Sequence, residues 1–230
     1  MLNGTRTEKR KAMKLKDTIK LLKYTQTPEL HIVTAIMFGM CALVTAIPTH
    51  NNLDIGGFWA NYMPTYFIGQ MSMVTFAGVV QSSEKFKKTV TRNLAILLAI
   101  FNTVNFGIFV VLRTFLAYKM HLEKNVNGFL ISYMAFQILY VLYGTIIYKN
   151  LKLGLLFMVP IFMFIIFSTM DHGPLKYFIK LGAMADIKVF IALTAAVSLL
   201  TPLLYYGLSL LLYKMPYYEK IVERMERKNI

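Results

Sequence analysis

The side chains that could do chemistry begin with one short polar segment, Ser82–Arg92, which reads S-S-E-K-F-K-K-T-V-T-R between two long apolar runs. It holds four cations and one anion in eleven residues. An ionised side chain at the centre of a bilayer costs roughly 2.5 to 3.5 kcal/mol. We call this segment the basic island and expect it to protrude from a membrane.

The island has the pattern of a short helix. Ser83 can cap it, and Glu84 falls in the first turn, where the helix dipole favours an anion. Phe86 and Val90 share one face at i, i+4, and cations line another face, at Lys85, Lys88 and Arg92. The pattern suits docking into a groove on a soluble partner, but it equally suits a solvated basic loop that only sets topology. The residues alone leave both readings open.

A second set of candidates consists of neutral polar side chains inside the apolar runs, principally Asn61, Gln70, Asn102 and Asn105, with Ser72, Gln137, Ser168 and Ser198. They could line a translocation path. They could instead form hydrogen bonds between helices, which is the reading that we favour.

Catalytic, cofactor and metal sites are not expected on this chain. The G-x-x-x-x-G-K-[ST] loop that cradles ATP is missing from the sequence, as are G-x-S-x-G and H-E-x-x-H. The four histidines fall near the ends of apolar runs or in connectors, and we expect them to be interfacial. We therefore expect a transport subunit rather than an enzyme.

Composition predicts an all-α membrane protein. The 230 residues are 57% hydrophobic and 16% charged, with a mean hydropathy of +0.53, and a helix needs about 20 apolar residues to cross a bilayer. We predict a basic arm (1–30), a transmembrane domain (31–213) and a basic tail (214–230). The six predicted spans are His31–Ile47, Phe58–Val80, Leu94–Leu112, Gly128–Tyr148, Leu153–Met170 and Val189–Tyr213.

The distribution of cations predicts the orientation. Eight lie in the arm, four in the island, two in the turn after the fourth span and five in the tail. The connectors on the other side hold none, three and three. The positive-inside rule then places both termini in the cytoplasm of a cell-membrane protein. Because the cations cluster at the ends of apolar runs, we expect contact with lipid headgroups and not with nucleic acid.

The arm contains a predicted amphipathic helix at Lys14–Tyr24. Leu15, Ile19 and Leu22 share one face, and lysines line another. Such a helix lies along the membrane surface with its lysine stems extended toward the headgroups.

This layout resembles the membrane subunits of type-2 ABC exporters, the permease class that handles drugs, peptides and polysaccharides. That family has an amphipathic amino-terminal helix, six spans with both ends inside, a coupling helix between spans two and three, and short external helices between spans five and six. The matching positions are Leu15–Tyr24, Ser83–Arg92 and Asp171–Lys188. Glu84 stands for the family's acidic residue, whereas Lys87-Lys88-Thr89 stands in place of its Gly-Thr step.

The resemblance implies that the island binds a cytosolic ATPase on another chain, which would hold ATP and Mg. It also implies a second permease chain, identical or related. The expected cargo is a peptide, such as a small antimicrobial peptide, or another amphiphile that is exported. The implied ATPase-coupling residues are Ser83, Glu84, Lys85, Phe86, Lys87, Lys88, Val90 and Arg92. The alternative is a membrane component without transport activity, either a substrate-binding subunit or a scaffold.

Overall fold

A computed structural model describes part of the chain, and all of its regular secondary structure is helical. The described residues are 20, 28–45, 47, 56–75, 86–123, 126–149, 153–154, 156–157, 159–160 and 186–213. Most of the arm, most of the fifth predicted span, residues 171–185 and the tail lie outside them. The predicted amphipathic helix and external helices therefore stay predictions.

Five long helices fall at or near predicted spans. They are α1 (Pro28–Thr45), α2 (Gly56–Thr75), α3 (from Phe86 to Lys119), α4 (Val126–Lys149) and α5 (Ile187–Tyr213). Within the described residues, three stretches are long and apolar enough to cross a membrane: Thr89–Lys119, Val126–Ile147 and Ile187–Tyr213. The helical fold is thus confirmed, and six spans remain a prediction.

The island's described part is the beginning of α3 and not a separate helix. A turn of α-helix, Phe86–Lys88, continues directly into a π-helical segment, Thr89–Asn93. A second π-helical segment, Phe106–Val110, follows the α-helical stretch Leu94–Asn105. Wide turns of this kind weaken the regular i→i−4 bonding, and they recur at functional sites. The predicted cap at Ser83 lies outside the described residues.

The far end of α3 corrects the predicted boundary at Leu112. The helix continues to Lys119 and closes with His121 in the left-handed region (φ 55°), while the Leu122 amide donates to the Ala117 carbonyl at 2.9 Å. This is the bonding pattern of a helix C-cap. The predicted span ended at Leu112 because the next residue, Arg113, is a cation that ends the apolar run.

Arg113 is buried inside the helix bundle, with 2% of its surface exposed. Its guanidinium donates to the Ile47 carbonyl at 3.2 Å and lies 5.2 Å from the centre of the Phe129 ring. A carbonyl oxygen and an aromatic face both stabilise a cation in an apolar setting. The described interior therefore holds a cation near one end.

Contacts between the helices give their directions. Gln137 meets Ser198 and Gly144 meets Tyr205, so α4 and α5 run parallel. Helix α3 runs the opposite way, because its first turns contact the end of α5 and its last turns contact the beginning of α4. We name the two ends of the bundle the Lys87 end and the Arg113 end. Because α4 begins at the Arg113 end, it finishes at the Lys87 end with Lys149, whereas Ile187 at the beginning of α5 lies at the Arg113 end.

Two apolar clusters form the core, one toward each end. The cluster at the Arg113 end is centred on Phe129, Leu130 and Tyr133, and the other on Ile68, Leu98 and Tyr205. Apolar side chains also cover the outward faces of α1, α3 and α5. An apolar surface of this extent suits contact with lipid rather than water. The exposed large side chains include Ile36, Met40, Ile100, Val104, Phe115, Leu199, Leu203 and Leu211.

Gly57 allows α2 to pack closely against α4. A β-carbon at this position would overlap the backbone nitrogen of Tyr133 and the side chain of Ser132. We expect Gly57→Ala to lower the thermal unfolding midpoint of the purified chain, because the two backbones would have to move apart.

The matched control is Gly207→Ala on α5, where a β-carbon would meet nothing within 4 Å. Alanine in a helix interior is more stable than glycine by about 0.5 to 1 kcal/mol, so this variant should unfold at the same or a higher temperature. Equal midpoints for the two variants would contradict the close packing of α2 on α4.

Candidate functional site

A group of buried polar side chains joins α3, α4 and α5 near the middle of the bundle, and two of its members, Tyr133 and Tyr140, also belong to the apolar clusters. We call this group the polar seam. Every member has at most 5% of its surface exposed. Its members are Asn102, Tyr133, Gln137, Tyr140, Thr194, Ser198 and Thr201.

Asn102 is the residue of the seam with the most partners. Its amide nitrogen donates to the Thr201 hydroxyl at 2.8 Å and to the Ser198 carbonyl at 3.1 Å. Its amide oxygen accepts a hydrogen bond from the Tyr140 hydroxyl at 2.5 Å. One side chain on α3 thereby binds both α4 and α5 with its donor and its acceptor satisfied.

Gln137 and Ser198 form the second contact of the seam. The Ser198 hydroxyl oxygen lies 2.8 Å from the Thr194 carbonyl oxygen and 3.1 Å from the Gln137 amide oxygen. Because a hydroxyl has one proton, it can donate fully to only one of them at a time. This contact is therefore less completely satisfied than the one at Asn102.

The asparagines predicted as a possible path make hydrogen bonds between helices. Asn105 donates to the Ala60 carbonyl on α2 at 2.8 Å. Asn61 donates to the Gly57 carbonyl at 2.8 Å and across to the Tyr133 carbonyl at 3.1 Å. Gln70 lies half-buried on α2. In the structure, Asn61, Asn102 and Asn105 thus each donate a hydrogen bond to a backbone carbonyl of another helix. A role for them in transport stays a prediction.

The polar seam is neutral throughout, with amides, hydroxyls and phenols only. Among the described residues, no group of three or more His, Cys, Asp or Glu side chains could hold a metal ion. Chemically, the seam consists of groups that donate and accept hydrogen bonds, and these groups bond to one another. It offers no described carboxylate for proton transfer and no strong nucleophile.

The described island residues lie against the end of α5. Lys87 is exposed, and its ammonium lies 5.3 Å from the centre of the Tyr213 ring. Val90 is fully buried, and its carbonyl accepts a hydrogen bond from the Tyr205 hydroxyl at 3.4 Å. Val90 therefore offers no exposed apolar surface to a partner.

Two further cations of the island lie at this end of the bundle. Arg92 is exposed and Lys88 is half-buried. Phe86 begins the helix, whereas Ser83, Glu84 and Lys85 lie outside the described residues. The coupling role of the island stays a prediction, and it now depends on Lys87, Lys88 and Arg92 more than on Val90.

Sequence reasoning missed four members of the seam, namely Tyr133, Tyr140, Thr194 and Thr201. The signal that could have found them is periodic. Thr194, Ser198 and Thr201 follow one another at i, i+4 and i+7, and α4 repeats that spacing at Tyr133, Gln137 and Tyr140. Two polar stripes with the same spacing on apolar helices predict a shared interface.

Comparison of the chain with protein-family models, with curated proteins and with solved structures found no match. The class of protein therefore follows from the fold and the seam. Within the described residues, they give a helical chain with three helices long and apolar enough to cross a membrane, a neutral polar seam and a buried cation, Arg113.

Asn102 should contribute to stability through its three hydrogen bonds. We expect Asn102→Ala to lower the free energy of unfolding by about 1 to 2 kcal/mol, because the Tyr140 and Thr201 hydroxyls would lose a buried partner. Denaturant titration of the chain in mild detergent measures this change.

Thr103→Ala is the matched control one position along α3. Thr103 is exposed, and its hydroxyl donates only to the Ala99 carbonyl of its own helix. Its removal should change stability by less than about 0.5 kcal/mol. If the two variants were equally stable, the seam would not hold the three helices together.

Proposed function

We propose that this chain is the permease subunit of an ATP-driven exporter in the cell membrane. A separate cytosolic ATPase chain, holding ATP and Mg, would bind the basic island, and a second permease chain would complete the path. The observation that carries this proposal is the continuity of the island with α3: Phe86–Lys88 runs without interruption into a helix that could cross the membrane.

The contacts of α3 with α5 and α4 could transmit a movement of the island to the rest of the bundle. The Val90 carbonyl and the Lys87 ammonium contact Tyr205 and Tyr213 near the end of α5. Farther along, Asn102 binds α5 and α4. A partner that displaced the island would therefore move α3 and α5 together. The same movement would strain the hydrogen bonds that Asn102 makes in the seam. Rigid helices and the hydrogen bonds between them can transmit such a displacement from one site to another.

The directions of the helices favour six spans. Helix α4 ends at the Lys87 end, and the parallel helix α5 begins at the Arg113 end. Residues 150–186 therefore connect opposite ends of the bundle, over a length of about 36 Å for the 24 residues of α4. One further crossing by the predicted fifth span would make the total six. Both termini would then lie on the same side.

The neutrality of the seam supports an amphiphilic cargo, such as a peptide, over an ion. Proton-coupled carriers and ion channels usually keep ionisable residues along the path. Here the seam has amides and hydroxyls, and the buried cation Arg113 lies toward one end of the bundle.

A membrane scaffold or substrate-binding subunit without transport activity is the second candidate. The specific observation in its favour is that the seam is closed: its side chains are fully buried and largely bonded to one another. A scaffold needs such a core and needs no route through it.

The coupling proposal predicts the effect of reversing the island's charge. Lys88→Glu combined with Arg92→Glu should weaken co-purification of the partner ATPase by about tenfold or more, since cations facing an acidic surface would become anions. The measurement is quantitative pull-down from membranes in which both chains are expressed.

Lys119→Glu is the control at the opposite end of α3, where the side chain is also exposed. It should leave co-purification unchanged. Recovery of equal amounts of ATPase with the island variant and with wild type would refute the coupling role. Failure of every form to recover an ATPase would favour the scaffold.

The topology can be tested because the chain has a single cysteine, Cys41. In a Cys41→Ser background, cysteines introduced at Lys87 and at Lys119 should react with a membrane-impermeant maleimide from opposite sides. We expect Lys119→Cys to be labelled in intact cells and Lys87→Cys only after permeabilisation. Labelling of both positions from outside would contradict the orientation.

A further inference from the structure

Prolines interrupt two of the helices that pack against α3. Pro64 lies inside α2, and Pro202 lies inside α5. Because proline has no backbone N–H, the carbonyl at i−4 loses its helical donor, and the proline ring also crowds that carbonyl. The two carbonyls concerned are those of Ala60 and Ser198. Both residues are buried, so the missing donors have to come from within the protein.

Two asparagines of α3 supply these donors. The amide nitrogen of Asn105 donates to the Ala60 carbonyl at 2.8 Å, and that of Asn102 donates to the Ser198 carbonyl at 3.1 Å. A carbonyl oxygen only accepts hydrogen bonds, so each amide must present its nitrogen to it. The Thr201 hydroxyl lies 3.5 Å from the Ser198 carbonyl, which is longer than an ordinary hydrogen bond. Asn102 is therefore the nearer donor.

We propose that Asn102 and Asn105 are latches on two proline hinges, one in α5 at Pro202 and one in α2 at Pro64. In the closed latch, the asparagine replaces the missing backbone donor and holds the helix in one bend. In the open latch, the carbonyl has lost that donor, and the two parts of the helix can change their angle at the proline. Both latches lie on the stretch Leu94–Asn105 of α3, so a displacement of that stretch would weaken both.

The hinge in α5 separates two sets of contacts. The part of α5 before Pro202 contributes Thr194 and Ser198 to the polar seam. The part after it contacts the basic island through Tyr205 and Tyr213. A bend at the proline would therefore let the end of α5 follow the island while the seam stays in place. This use of the hinge rests on the proposed function, whereas the latches themselves would hold for an exporter and a scaffold alike.

Double-mutant cycles in the full chain test the latches. In Pro202→Ala, the alanine N–H restores the backbone donor to the Ser198 carbonyl, so the loss of the asparagine should matter less. We expect Asn102→Ala to raise the unfolding equilibrium constant about fivefold more in the wild-type chain than in Pro202→Ala. Asn105→Ala should show the same difference between the wild-type chain and Pro64→Ala. Denaturant titration in mild detergent measures each constant.

The crossed pairs are the matched controls. They combine Asn102→Ala with Pro64→Ala, and Asn105→Ala with Pro202→Ala. They use the same four substitutions, but the restored N–H is then on a different helix from the carbonyl that lost its amide. Their effects should be additive to within about twofold in the equilibrium constant. Additive effects in the matched pairs, or equal coupling in matched and crossed pairs, would overturn the proposal.

Solid-state NMR of the chain in lipid bilayers gives a readout that needs no proline substitution. The sequence has a single Ala-Asn step, Ala60-Asn61. Alanine labelled with carbon-13 at the carbonyl and asparagine labelled with nitrogen-15 therefore give one bonded pair, which identifies the Ala60 carbonyl. Asn105→Ala should move this signal upfield, because a hydrogen bond deshields a carbonyl carbon. Thr103→Ala removes a bond within its own helix and should leave the signal in place. An unchanged signal in Asn105→Ala would overturn the proposal.

Distances between spin labels test the bend itself. In a Cys41→Ser background, labels are attached at Ile138→Cys on α4 and at Leu211→Cys on α5, beyond the proline, and both positions are exposed. Asn102→Ala should broaden the distribution of distances, because the end of α5 would no longer be held at one angle. Adding Pro202→Ala should narrow the distribution again, because the backbone donor returns. A distribution that Asn102→Ala leaves as narrow as in the labelled parent chain would overturn the hinge.

Discussion

The requirement that every polar group in an apolar interior find a partner inside the protein is the constraint on which this structure depends. Asn102 meets it by bonding to Tyr140, to Thr201 and to the carbonyl of Ser198. Three helices are thereby held in one register around a single amide. Because lipid offers no competing hydrogen bonds, the pairing is specific even though each bond contributes modestly.

The same constraint accounts for the irregular features of α3. Its first π-helical segment weakens regular backbone bonding, and Tyr205 supplies a donor to the Val90 carbonyl there. Toward the other end, Arg113 is tolerated inside the bundle because Ile47 offers a carbonyl and Phe129 a ring face. A helix with this many lateral partners is firmly joined to α5, and the proposed coupling role is assigned to it for that reason.

Much of the helical layout was predictable, because burying a charged side chain in a membrane costs a large free energy. Charged residues therefore mark the ends of the apolar helices. The predicted spans that the structure describes are helical and begin or end within a few residues of the predictions, apart from α3. There the hydropathy pattern stops at Arg113, although the helix does not. Asn102 and Asn105 form hydrogen bonds between helices, as the favoured interpretation expected, and a role in transport stays a prediction. The identity of their partners was not predictable, because helical periodicity defines a face without saying what that face contacts.

The sequence by itself determined that the chain is helical, where its apolar helices lie and how its cations are distributed. Composition and spacing act locally, and these properties are local. Only the tertiary structure decided that Val90 is buried against α5, that Arg113 is an interior group and that Gln137 lies against Ser198. Each of these depends on which helices meet and in which direction they run, and residues distant in the chain decide that together.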